Sequence, residues 1–253
     1  VPATIRKGLI ARGTILNAAV VAASGGLGLV AGKYLNHQYQ DVALHGLGLV
    51  VVGIGIKMFL SSRNPIIAAS AIVVGGIIGF GLGLQHLVDG LAHWSQVKFG
   101  GQAGFSEGLI TSFVLFCVGS MTILGCFQDA LENKIEILAL KSTMDGIAAF
   151  FIAAATGAGV LVTAILLFLF QGTITLAAVP LKSITKNESV MAEINGVGGV
   201  LLISTGLGLV GIIDLKTTNY LPALILAPCF VALSLKLSSR FGRPITTLED
   251  TNI

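Results

Sequence analysis

Residues 138–181 read LALKSTMDGIAAFFIAAATGAGVLVTAILLFLFQGTITLAAVPL. A helix needs roughly 20 apolar residues to cross a bilayer core of about 30 Å. The uncharged run from Ile147 to Leu181 is too long for one such crossing and short for two. Two fit if the first begins at Leu138 and takes Lys141 and Asp145 into its opening turns. They divide at Thr156-Gly157-Ala158-Gly159. This division decides the fold, because it sets how often the chain crosses and which ends share a side.

Working outward, the apolar blocks place spans at approximately 13–32, 42–60, 66–85, 106–127, 138–156, 158–180, 193–213 and 220–238. The blocks are continuous rather than alternating, so helices and not barrel strands make the crossings. The chain is 54% hydrophobic and 11% charged. A soluble domain carries about a quarter charged residues, so 253 residues of this composition cannot coat a globule. The expected fold class is an all-α integral membrane protein, one polytopic bundle of about eight transmembrane helices. Arg6, Lys7 and Arg12 before the first apolar run mimic a signal peptide. That run is Gly-rich and long enough to cross, so it reads as the first span.

The basic residues test the division at Gly157. With eight spans, one side of the membrane holds Arg6, Lys7, Arg12, Lys57, Arg63, Lys134, Lys141, Lys182, Lys186, Lys236, Arg240 and Arg243, and the other holds Lys33, Lys98 and Lys216. Fusing the fifth and sixth spans gives eight against seven, and the asymmetry vanishes. Lys and Arg mark the cytoplasmic side. The expectation is therefore a bacterial or other prokaryotic cytoplasmic membrane, with both termini cytoplasmic. Tyr34, Tyr39, Trp94 and Tyr220 fall in or beside the outer connections, where amphipathic rings favour the interface. Between the third and fourth spans, Leu84, Leu87, Val88, Leu91 and Trp94 recur at helical spacing. This predicts a short amphipathic helix on the outer surface, over about 84–97. A partner-binding loop is the other reading.

Glycines at four-residue spacing, Gly28 and Gly32 in the first span and Gly75, Gly79 and Gly83 in the third, predict close-packing faces. Their partner helix could belong to this chain or to a second copy, so homo-oligomer contact through Gly-rich faces is one expectation. His45-Gly46-Leu47-Gly48 before Asn64-Pro65 echoes Asn195-Gly196-Val197-Gly198 before Asn219-Tyr220-Leu221-Pro222. Those segments open spans five apart, so a duplication there would be inverted in the membrane, as in many transporters. Chance similarity among Gly-rich helices explains the echo equally well.

Several motifs taken in order carry a resemblance. They are Gly13-Thr14-Ile15-Leu16-Asn17-Ala18, then Phe116-Cys117-Val118-Gly119-Ser120-Met121-Thr122-Ile123-Leu124-Gly125 leading to Gln128-Asp129. Lys141-Ser142-Thr143-Met144-Asp145-Gly146 and Gln171-Gly172-Thr173-Ile174-Thr175 follow. The last are Glu193-Ile194-Asn195-Gly196-Val197-Gly198-Gly199 and Leu221-Pro222-Ala223-Leu224. From about Gly13 to about Leu237 the chain resembles the bacterial inner-membrane proteins of domain-of-unknown-function family 554. Ala130 stands where the family pattern leads us to expect Gly. The resemblance implies a polytopic membrane protein and no particular activity.

Asp145 is the sharpest candidate for chemistry, an acid some seven residues into the fifth span. An ionised group there is costly and should face the bundle or a wet cavity. It is either a proton or cation site, or simply the partner of Lys141 one turn earlier. Asn17, Gln171, Ser120 and Thr122 are candidate neighbouring ligands, as are Thr173, Thr175, Ser204 and Thr205 from other spans. Oxygen-rich side chains suit a hard cation or a proton relay. Ordinary helix-to-helix hydrogen bonding is the alternative. Gln128, Asp129 and Glu193 lie at the expected cytoplasmic ends and read as an inner gate or as a solvated boundary. Glu107 has the same two readings on the outer side.

Other classes find little support. Cys117, Cys126 and Cys229 lie in apolar segments and read as buried hydrophobes. No HExxH, CxxC or Walker pattern occurs. No enzyme, cofactor, metal or nucleic acid is expected, and the lipid bilayer is the partner. Two hypotheses stand. One is a small transporter or channel-like permease for a cation or a proton-coupled small solute. The other is a non-transporting membrane scaffold or sensor that binds a partner protein.

Overall fold

The structure, a computed structural model, describes residues 11–34, 36–99, 104–117, 120–178 and 187–241. The helices are α1 (Arg12–Gly32), α2 (His37–Phe59), α3 (Pro65–Gly81), α4 (Leu84–Phe99) and α5 (Phe105–Cys117). After them come α6 (Ser120–Glu132), α7 (Glu136–Thr156), α8 (Gly159–Leu176), α9 (Glu188–Leu209) and α10 (Ala223–Phe241), the last preceded by a 3₁₀ turn, Thr217–Tyr220. The described residues contain no strand. Six segments are individually long and apolar enough to cross a membrane, and two bent pairs bring the number to as many as eight.

Packing direction settles the division at Gly157. Along the α1–α7 interface Asn17 meets Asp145, Gly28 meets Phe150 and Gly32 meets Ala154, so both chains advance together and the helices are parallel. Along α1–α8, Thr14 meets Thr175 while Gly25 meets Val160, so these are antiparallel. Hence α7 and α8 run in opposite directions and form a hairpin. Gly157 turns it with φ 89°, a left-handed conformation in which a side chain is strained. The other interfaces agree with alternating crossings. The α5–α8 pair is parallel, with Phe105 at Gly159 and Ser112 at Thr163. The α3–α10 pair is antiparallel, with Gly75 at Ala223 and Gly79 at Asn219 just before the helix.

The α2–α9 pair is antiparallel through glycines that face each other, Gly48 against Gly206 and Gly55 against Gly199. The matching glycines are 151 residues apart (Gly48 to Gly199, Gly55 to Gly206). That is one off the 150 separating Gly46-Leu47-Gly48 from Gly196-Val197-Gly198 in the sequence echo. These two helices are therefore related by a local two-fold. The expected close-packing faces at Gly28, Gly32, Gly75 and Gly79 are also filled by this chain. A Cβ on Gly28 or Gly32 would strike the carbonyls of Phe150 or Ala154. Gly83 is not part of the α3 face. With φ 65° it makes the 55° bend between α3 and α4.

The fourth crossing departs from its expected form. Residues 106–127 do not make one continuous helix, because α5 and α6 meet at a bend of 58°. Thr122 lies just past the bend and donates its hydroxyl to the Phe116 carbonyl at 3.0 Å. A side chain thus satisfies backbone that a bent helix leaves open.

Candidate functional site

The buried polar residues collect where α1, α6, α7 and α8 meet. Helix α7 starts at Glu136, two residues earlier than expected, which puts Asp145 nine residues in, or about 13 Å along the axis. Asp145 is 5% exposed and Lys141 6%. Lys141 Nζ donates to Asp145 Oδ1 at 2.7 Å and to Oδ2 at 2.5 Å, and Asn17 Nδ2 donates to Oδ2 at 3.0 Å. Lys141 also lies 5.9 Å from the ring centre of Phe116, at the α5 side of the broken crossing, within reach of a cation–π attraction. The ion pair named as the alternative reading of Asp145 is therefore present.

Gln171 lies five residues from the end of α8, which stops at Leu176. Thr175, one turn on, donates to the Gln171 carbonyl at 2.8 Å and meets the Thr14 hydroxyl at 3.4 Å. In an antiparallel pair that contact brings Gln171 level with Asn17, three residues beyond Thr14. Both side chains are fully buried. Asn17 Oδ1 and both polar atoms of the Gln171 amide have no hydrogen-bond partner. Leaving such groups unmatched costs about 1–3 kcal/mol each, so the place asks for a water or a polar guest.

Of the remaining candidates, Thr122 serves the bend, and the Ser120 side chain lies outside the described residues. Gln128, Asp129 and Glu193 hold helix ends together. Asp129 Oδ2 accepts from the Gly13 amide at 2.8 Å, at the start of α1. Glu193 is 1% exposed. Its carboxylate accepts from the Ser62 hydroxyl at 2.7 Å and from the amides of Arg63 at 2.9 Å and Asn64 at 2.7 Å, just ahead of α3. Gln128 bridges to Glu136 and to the Ile137 amide across the α6–α7 connection. Two carboxylates thus close two helix N-termini at the same end of the bundle, a favourable place for negative charge.

Sequence reading missed a second polar region at the opposite end. A cavity of about 320 Å³ is lined by residues of α4, α5 and α9 and of the 214–217 connection. Asp89, Glu107, Asp214 and Lys216 line it, together with Thr111, Ser204, Thr205 and Thr217. Lys216 donates to Asp214 through Nζ and through its backbone amide, which holds the Asp214 carboxyl below its usual range and raises the Lys216 ammonium. Glu107 and the Ser204-Thr205 pair were visible as polar residues. Their convergence with Asp89 and Asp214 was not, because it joins segments more than 100 residues apart. Along α5, Thr111 lines the cavity, Val114 belongs to an apolar cluster with Val51, Leu201 and Leu202, and Phe116 reaches Lys141. An apolar layer therefore separates the cavity from Asp145.

Comparison with known proteins places the chain. A family model described as "Protein of unknown function (DUF554)" matches residues 12–232. The chain is 33% identical over 223 residues to a Bacillus subtilis (strain 168) protein, "Uncharacterized membrane protein YdfK", covering 87% of this chain and 95% of that one. It is 30% identical over 221 residues to the Escherichia coli (strain K12) "Uncharacterized protein YqgA", covering 85% of this chain and 94% of the other. No solved structure matches it significantly. With its helices, its motifs and its relatives in agreement, the chain is a multi-pass membrane protein and belongs to the DUF554 family.

Proposed function

We propose that this protein is a small permease, moving a cation or a proton-coupled small solute across a prokaryotic cytoplasmic membrane, with both termini cytoplasmic. The observation that carries the reading is the set of unpartnered amide atoms on Asn17 and Gln171, wholly buried beside the Lys141–Asp145 pair. Buried polar groups in membrane bundles mark solute and proton paths, commonly next to broken helices. Here the break between α5 and α6 adjoins the pair. Asp145 is neutralised by Lys141, so a proton or cation reaching it must release Lys141. That exchange of partners is the coupling step. Release leaves Lys141 seeking a new contact, and the Phe116 ring and the α5–α6 bend are its neighbours.

The test is flux in liposomes. Asp145→Asn should abolish it while the protein still folds, as judged by its melting temperature and monodispersity in detergent. Undiminished flux removes Asp145 from the mechanism. The closed state of the Lys141–Asp145 pair favours the rival reading, a scaffold or sensor with a dry bundle. The two readings differ in access. A permease lets a hydrophobic carbodiimide modify Asp145, with added solute protecting it. A dry scaffold leaves it unmodified.

A further inference from the structure

The cavity at the end opposite Asp129 and Glu193 holds about 320 Å³, against roughly 30 Å³ for each water in the liquid. It has room for a small organic molecule. Asp89, Glu107 and Asp214 are exposed at its rim. Thr111, Ser204, Thr205 and Thr217 are buried and form its floor. Thr111 lies six residues into α5, so the floor is about 9 Å below the helix end.

Acceptors outnumber donors there. Lys216 is the one cation among the lining residues, and it is already engaged with Asp214 at 2.5 Å. Gln85 gives its amide N–H to Asp89 at 3.0 Å, while its Oε1 is buried and accepts nothing. Thr205 gives its hydroxyl proton to the Leu201 carbonyl at 2.9 Å, and Ser204 and Thr217 bond to each other at 2.7 Å. Thr111 is 3% exposed and lines the floor with its hydroxyl unpartnered among the described residues. The charged neighbour of Glu107 is another acid, Asp214. A guest must therefore bring positive charge and hydrogen-bond donors. Among the described residues no three His, Cys, Asp or Glu converge closely enough to hold a metal ion, and a bare ion would leave most of the volume unfilled.

We infer that this vestibule binds a small organic cation with N–H donors, a primary amine or diamine. Its charge lies over Glu107 and Asp214, and its N–H groups reach Gln85 Oε1 and the Thr111 hydroxyl. Its role as an entry site rests on the permease reading, but the binding itself does not.

Calorimetric titration of the purified full chain in detergent tests this. The probes are putrescine, its quaternary analogue tetramethonium (the same two charges on the same spacer, without N–H) and Mg²⁺. Putrescine should bind saturably and at least about tenfold tighter than tetramethonium. Glu107→Gln should weaken it by about tenfold or more, as loss of a charged hydrogen bond does. Thr111→Val should weaken it several-fold, with melting temperatures unchanged in both variants. Asp214→Asn supplies a second acid variant if Glu107→Gln misfolds. No saturable putrescine binding, equal binding of tetramethonium, preference for Mg²⁺, or indifference to the variants overturns the inference. Binding that obeys these rules without any flux overturns the permease reading alone. Flux of other solutes without diamine binding overturns this inference alone.

Discussion

Lys141 and Asp145 give each other the charge that makes burial tolerable. Removing one partner of a buried pair typically costs 3–5 kcal/mol, because the other is left uncompensated. Replacing both with apolar residues is often neutral. Lys141→Ala should therefore destabilise the protein by about 3 kcal/mol or more, while Lys141→Met with Asp145→Leu recovers most of that in thermal melts. Recovery of stability without recovery of flux would separate the structural work of the pair from its chemistry. Gln171 behaves differently, because its amide spends nothing on the fold: both polar atoms are buried and unmatched. Gln171→Leu should raise the melting temperature, by the equivalent of about 1–3 kcal/mol, and lower flux. A variant that is less stable would mean that the amide is satisfied in the folded protein, and that no guest is needed.

At the scale of helices, glycine sets how closely the backbones approach. A Cβ on Gly28 would meet the backbone of Phe150 in α7, whereas one on Gly53 meets nothing within 4 Å. Gly28→Ala should thus destabilise by about 2 kcal/mol through overpacking. Gly53→Ala should be neutral or stabilising, by up to about 1 kcal/mol of helix propensity. Paired thermal melts check the contrast, and equal effects would put the α1–α7 interface elsewhere. The helices themselves were legible as apolar blocks, but the helix that Asn187 caps starts at Glu188, five residues ahead of the expected 193. The break between α5 and α6 was not legible. Gly119-Ser120 inside an apolar run reads the same whether the helix continues or bends, and only its neighbours decide. The occupancy of the glycine faces was illegible for the same reason, since a Gly stripe does not name its partner.

For the molecule as a whole, the segregation of Lys and Arg and the directions of the described helix pairs are both consistent with about eight crossings. Reporter tags at the two termini should map to one side of the membrane. Ser106→Cys, in the vestibule lining, should be labelled by a membrane-impermeant maleimide only from the opposite side. Cys117 and Cys126 are buried, but Cys229, expected to be a buried hydrophobe, is exposed, so the labelling is done in a Cys229→Ser background. Tags on opposite faces would break the hairpin at Gly157. The described chain then has an acid-rimmed cavity at one end, carboxylates closing helix N-termini at the other, and the Lys141–Asp145 pair between them behind an apolar layer.

The sequence by itself determined that the chain lives in lipid, since hydrophobic length and scarcity of charge are local properties that water and bilayer sort without reference to neighbours. Its basic residues led to the expectation of about eight crossings, and its ordered motifs to its kinship. It showed Asp145 and Lys141 one helical turn apart, a spacing that already contained their pairing. Only the tertiary structure decided that Glu193 fastens α9 to the start of α3, that Gln171 goes unmatched beside Asn17, and that Asp89, Glu107 and Asp214 share one cavity. Those outcomes depend on which face of each helix meets which neighbour. In a bundle with apolar residues on every side, no periodicity in the sequence records that choice.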